Sequence, residues 1–164
     1  MPTTLTDAMR DLLDGRRYAI LATQNEDGSI HLTPAWYLFA DGRFYADSLS
    51  TDRKARNVAA RPGATIIVDV RQPGGESWVS AAGTAQLVQG DESQEINTRI
   101  VRRYLTDAAM NDARIGPAFT GAADATICVT PEVWRTWRLR DMDDQFFGGM
   151  LARTPDQWFR PVEA

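Results

Sequence analysis

Ile30-His31-Leu32-Thr33-Pro34-Ala35-Trp36-Tyr37-Leu38-Phe39-Ala40-Asp41-Gly42-Arg43-Phe44-Tyr45-Ala46-Asp47-Ser48 is the stretch that decides the fold. It opens on an aromatic-rich run, Ile30 to Phe39, and closes on a shorter one, Arg43 to Ser48. Asp41-Gly42 stands between them, and Asp-Gly is a preferred pair for a type I′ hairpin turn. The same pattern lies just upstream, where Tyr18 to Thr23 is followed by Asp27-Gly28. Two Asp-Gly pairs flanked by apolar runs predict an antiparallel meander.

Outward from the meander, the elements alternate between strand and helix patterns. Leu5, Met9, Leu12 and Leu13 recur at helical spacing, with Thr4 as the expected N-cap and Gly15 as the stop. Ser50 to Arg61 reads as a short helix capped by Ser50, Thr51 or Asp52 and ended by Pro62-Gly63. Strands are expected at Thr65 to Val70 and at Trp78 to Val88, with a bulge or bend at Gly83. Asp91 to Leu105 reads as a helix capped by Asp91, with Ile96, Ile100, Val101, Tyr104 and Leu105 as its apolar stripe. Residues 106–124 read as loop with a short helix, and a final strand runs within Thr126 to Leu139, bent near Pro131. The sum is about six antiparallel strands with inserted and flanking helices. One sheet that must close on itself points to a barrel. The organisation expected is a single domain over residues 1–164. It comprises an N-terminal helix (1–15), the barrel with its helices (16–139) and a C-terminal tail (140–164).

Composition limits the functional classes. The chain has 164 residues, suited to one domain that buries roughly 68–70% of its unfolded surface without disulfide or structural metal. The formal net charge of -4 argues against a nucleic-acid module, which normally carries a basic excess. The single cysteine, Cys128, fits a reducing cytoplasm and lies in the apolar run Ala125 to Val129, as a buried small hydrophobe would. The start Met1-Pro2-Thr3-Thr4 lacks the basic and apolar regions of a signal peptide, and no apolar run is long enough for a membrane span.

The usual catalytic sets are absent from the sequence. With His31 as the only histidine, a histidine metal cluster or a serine triad has almost no material. Any chemistry therefore falls to a bound cofactor. One candidate site is the strand-to-helix junction at Ser48 to Asn57. Helix N-terminal N–H groups, the Ser50 hydroxyl and the cations Arg53, Lys54 and Arg56 together suit a phosphate. The same residues also suit a solvated basic helix face. The second candidate is Leu32-Thr33-Pro34-Ala35-Trp36-Tyr37. Pro34 cannot donate to a ladder and so marks an edge or bulge along which a planar ring can lie. Trp36, Tyr37 and Trp78 equally suit the core.

Taken in order, these pieces resemble a known family. Ile20-Leu21-Ala22-Thr23, Asp27-Gly28, Pro34-Ala35-Trp36-Tyr37, Asp41-Gly42, Lys54-Ala55-Arg56-Asn57-Val58, Arg61-Pro62 and Gly83-Thr84-Ala85 resemble the pyridoxamine 5′-phosphate oxidase-like split-barrel superfamily. Within it the likeness is to the flavin/deazaflavin oxidoreductases of the B type. The resemblance implies a homodimer with cofactor sites between the subunits. It implies that Ser50, Lys54, Arg53 and Arg56 hold the cofactor phosphate. It further implies that Thr33, Pro34, Ala35 and Trp36 line the ring, with Trp78 approaching from the other subunit. The cofactor expected is the deazaflavin F420, with FMN as the alternative, and the activity is hydride transfer from reduced F420 to a small enone, quinone or tetrapyrrole. A cofactor carrier or haem binder is the non-catalytic alternative, with His31 and Cys128 as the ligand types present. The tail is longer than a compact deazaflavin binder needs. Its Phe146, Phe147, Trp158 and Phe159 either cap a pocket or pack on a second subunit, and the second is the expectation.

Overall fold

The computed structural model of the protein describes residues 4–162, so the expected start at Met1-Pro2-Thr3 and the last two residues of the tail lie outside the described residues. Seven strands form one antiparallel sheet: β1 (Ala19–Gln24), β2 (Ile30–Ala35), β3 (Tyr37–Ala40), β4 (Arg43–Ser48), β5 (Gly63–Val70), β6 (Ser77–Gln89) and β7 (Ala125–Arg138). Their order across the sheet is β2-β1-β5-β6-β7-β4-β3. The first and last strands of that order, β2 and β3, are consecutive in the chain with only Trp36 between them. Both edges of the sheet must therefore meet at Trp36, which curls the sheet into a split barrel. The six strands expected become seven because the run from Ile30 breaks at Trp36, so that β2 pairs with β1 and β3 with β4.

Helix α3 (Asp91–Tyr104) secures that break. The Tyr37 N–H, freed from a continuous ladder, donates to the Tyr104 hydroxyl at 3.1 Å. A buried N–H left without a partner costs about 1–3 kcal/mol, so the bend is satisfied by a side chain instead of being left open. The neighbouring Arg103 guanidinium donates to the Leu13, Asp14 and Gly15 carbonyls at the C-terminal end of α1 (Asp7–Asp14). Those carbonyls lack partners within the helix and favour a cation. A buried polar clip fixes the other face of α3 to β7. Asn97 donates to the Ala125 carbonyl and to Ser93 Oγ, and the Thr126 hydroxyl donates to Asn97 Oδ1 at 2.7 Å.

The core fills the curl of the sheet: Leu21, Tyr37, Phe44, Ile66, Val68, Val79, Ile127 and Val129, closed at one end by Met9, Leu12 and Leu13 of α1. Strand alternation delivers these residues inward. Helix α2 (Arg53–Ala60) adds Ala55 and Val58 to the buried set.

Local signals differ from expectation at four points. Thr6, not Thr4, caps α1, because its hydroxyl accepts the Met9 N–H. Asp41-Gly42 does form a turn with both residues at positive φ, as type I′ requires. At Asp27-Gly28 only Gly28 is positive, and the Asp27 carboxylate instead accepts the Ser29 N–H and hydroxyl. Helix α2 begins at Arg53, with Asp52 as N-cap, so Ser50 and Thr51 belong to the turn before it. Gly90 rather than Asp91 precedes α3, at φ 72.

The bulge expected at Gly83 is present. Ala82 pairs with Val133 and Gly83 with Pro131, leaving Glu132 as the extra residue. Residues 106–124 hold two short helices, α4 (Asp107–Asn111) and α5 (Gly116–Thr120). The tail is helical: α6 (Leu139–Phe147), α7 (Met150–Arg153) and α8 (Pro155–Trp158). Buried Asp143 joins α6 to α7 by accepting the Leu151 and Ala152 N–H groups. Phe146, Phe147 and Trp158 stay exposed. Among the described residues no helix is long and apolar enough to cross a membrane.

Candidate functional site

The β3–β4 ladder opens at the end where both expected groups of residues begin. Tyr37 pairs with Ala46 at the end of the β3–β4 ladder. Continuing that register would set Ala35 opposite Ser48, but there the strands part, and β2 turns to pair with β1. Thr33 to Trp36 thus leave this opening along β2, and Ser48 leads away from it into the turn before α2.

Each side chain has a defined setting. Because strand side chains alternate, buried Ala35 and half-buried Thr33 face inward, while Pro34 faces out. The Thr33 hydroxyl is 2.8 Å from His31 Nε2. Pro34 borders an outer cleft of about 540 Å³ with Arg17, Tyr18, Ile20, Asp69 and Arg71. Trp78 pairs with Asp69 across β5–β6, and so sits beside that cleft. The Trp36 ring is stacked by Tyr104 at 4.8 Å and by Phe119 at 5.7 Å between centroids.

Across the opening, Lys54 faces two carboxylates, Asp47 and Asp52. Lys54 Nζ lies 3.2 Å from Asp52, and its side chain is only 14% exposed. Burial works against ionisation of Asp52. The Leu49 N–H and the Lys54 ammonium outweigh it and hold that carboxyl below the usual range. Burial pushes the half-buried Asp47 carboxyl up, and Lys54 offsets only part of the rise. A carboxyl raised in the fold contributes stability while protonated, below its unfolded pKa, and that contribution is lost as pH rises through the folded value. Asp47→Asn is therefore expected to raise the melting temperature at neutral pH. The gain should fade as pH falls below the carboxylate range, and melting curves of both proteins across pH check it.

Ser50 is not free. Its N–H and hydroxyl donate to the two oxygens of Asp124, at 2.6 and 2.7 Å. Arg53 and Arg56 leave the opening altogether. Helical spacing sets Arg53, Arg56, Asn57 and Ala60 on one face. That face lines a cleft of about 460 Å³ with Asn25, Glu26 and Arg61. Arg61 Nε donates to the Gln24 carbonyl, and buried Asn57 donates to Thr23 Oγ1 and Asn25 Oδ1, so the floor of this cleft is fixed. The cleft at Pro34 and the cleft at Arg53 share no lining residue.

A search against protein-family models matches residues 5–138 to the family described as pyridoxamine 5′-phosphate oxidase. The chain belongs to this family. Its pyridoxamine 5′-phosphate oxidase-like fold recurs in solved structures. One is a conserved hypothetical protein, Rv2991, from Mycobacterium tuberculosis (22% identity, TM-score 0.71, covering 86% of this chain and 89% of that one). A second is an F420 reductase (22% identity, TM-score 0.60, covering 77% and 94%). A third is a FAD-binding protein from Mesorhizobium loti (20% identity, TM-score 0.58, covering 83% and 96%). No curated protein sequence matches the chain significantly.

Three polar residues near these positions have no site role in the sequence reading. Arg61 enters it as a helix end and in the Arg61-Pro62 pair of the resemblance, and the structure sets it in the cleft of Arg53 and Arg56. Asp47 sits in a strand whose alternation says nothing about Lys54. Asp124 is 74 residues from Ser50, and no local signal links them.

Proposed function

We propose that the protein is an oxidoreductase that binds F420 at the split of its barrel and reduces a small conjugated acceptor. The observation that carries this reading is the end of the β3–β4 ladder at Tyr37 and Ala46, from which one strand leads to Thr33–Trp36 and the other to Ser50 and Lys54, in a chain of this family. A planar ring lies along the backbone from Thr33 to Trp36, where Pro34 and the bend leave the strand edge irregular. Lys54 and Ser50 hold the phosphate. Arg53, Arg56 and Arg61 line the neighbouring cleft, a setting suited to the further negative charge that distinguishes F420 from FMN. In its reduced form the bound deazaflavin supplies a hydride. The chain's own residues fix the ring, keep the phosphate in place and exclude water from the acceptor.

The protein acts as a homodimer. Ile30 and Leu32 are 60% and 62% exposed on the edge strand, and Pro34 continues the row beside Ile20. Contiguous exposed apolar surface of this kind marks a protein interface. Phe146, Phe147 and Trp158 of the tail are further exposed apolar side chains suited to pack on a second subunit, and Trp78 of the partner subunit approaches the ring.

Equilibrium binding of purified protein to F420 and to FMN tests the reading. Tighter binding of F420 by a dimer is the expected result. Sub-micromolar FMN binding without F420 binding overturns the choice of cofactor. A Soret band on adding haem, with neither cofactor bound, moves the protein to the haem-binding alternative.

A further inference from the structure

Asp124 stands just before β7, where Ala125 pairs with Ser48 at the end of the β4–β7 ladder. Ser50 follows Ser48 by two residues, so the ladder brings the Asp124 carboxylate and the Ser50 turn to the same end of the sheet. One carboxylate oxygen takes the Ser50 N–H and the other takes the hydroxyl. These are the two donors that a phosphate at this turn needs, and charge-assisted bonds of this type are the strong ones. The surrounding charges sharpen the competition. Asp52 and half-buried Asp47 add negative charge, and Lys54, the cation among them, is already paired with Asp52.

We infer that Asp124 is a built-in competitor for the anion site: its carboxylate occupies the Ser50 donors, and an anionic ligand binds there only by displacing it. The inference rests on the assignment of Ser50 to the phosphate site. It adds a regulatory contact that sets how strongly an anion must bind. A free anion does not readily displace the carboxylate, whereas a phosphate anchored through the rest of a larger bound molecule does. The device therefore selects for phosphate esters attached to a larger bound group over free phosphate.

Titration with inorganic phosphate, followed through the Ser50 backbone amide resonance, tests this without any cofactor. In Asp124→Ala the amide is expected to respond at roughly five- to tenfold lower phosphate concentration than in the wild type, the worth of about one hydrogen bond. The double variant Asp124→Ala/Ser50→Ala, followed through the residue-50 amide, is expected to lose most of that gain, which separates local displacement from a general change in charge. Asp124→Asn, which keeps the size of the side chain, repeats the test if the alanine variant melts early. Equal responses in wild type and both single variants overturn the inference, as does a gain that survives in the double variant. F420 or FMN binding by the wild type, measured separately, reports on the proposed function alone. Cofactor binding with no phosphate gain removes Asp124 and leaves the cofactor site standing.

Discussion

Gly83→Ala is expected to destabilise the protein by about 3 kcal/mol, the upper part of the range for overpacking a tight site. At this chain length that lowers Tm by roughly 6–12 °C. A Cβ at position 83 would overlap the Thr130 carbonyl oxygen and stand 3.0 Å from the Glu132 nitrogen. Both are backbone atoms of β7, so no side chain can swing aside. The crowding comes from the bulge. With Glu132 left over between Pro131 and Val133, β7 bends toward β6 at Gly83. The bulge lies inside the longest ladder of the sheet, Ser77 to Gln89 against Ala125 to Arg138, so relief at one point disturbs pairing on both sides. Gly63→Ala is the control: a Cβ there meets nothing within 4 Å, and its Tm is expected to stay near that of the wild type. A Gly83→Ala protein that melts with the wild type would show that the two strands are free to separate at the bulge.

Lys54→Ala is expected to weaken F420 or FMN binding by about 1.5–3 kcal/mol, the worth of a hydrogen bond to a charged group. That is roughly a 10- to 150-fold rise in Kd. Lys54 is the cation that faces both Asp47 and Asp52. Without it an incoming phosphate meets two carboxylates and no compensating charge. The fold itself should change little, because Asp52 keeps its bonds from the Leu49 N–H and the Ser48 hydroxyl. Lys54→Arg keeps the charge and is expected to recover most of the affinity. Isothermal titration of the three proteins checks the series. An unchanged Kd in Lys54→Ala removes this residue from the phosphate site and leaves Arg53 and Arg56 as the cations to test.

The order of strands and helices was legible in the sequence because it is written in local chemistry. Asp41-Gly42 turns the chain through φ values that these residues tolerate, and the short apolar runs of β1, β4 and β5 bounded by turns read as strands, whose side chains are then alternately buried. Gly83 was legible as a bulge for a similar reason, since an isolated glycine in a strand marks a close backbone approach. The split at Trp36 was only half legible. Pro34 announced an irregular edge, but the partner that stabilises the bend is the Tyr104 hydroxyl, from a helix far along the chain.

The site shows the same division more sharply. Sequence alone determined the residue types: a strand-to-helix junction with Ser50, Arg53, Lys54 and Arg56, and a proline-marked edge before Trp36. Only the tertiary structure decided how those residues are used. Helical winding sends Arg53 and Arg56 to one cleft and Lys54 to another face, beside Asp52 and Asp47. Ser50 reads in sequence as an open donor, but folding gives it Asp124. The physical reason is range. Turn preference and periodicity act over a few residues, whereas Asp124 reaches Ser50 across 74 positions of sequence only once β4 and β7 have paired.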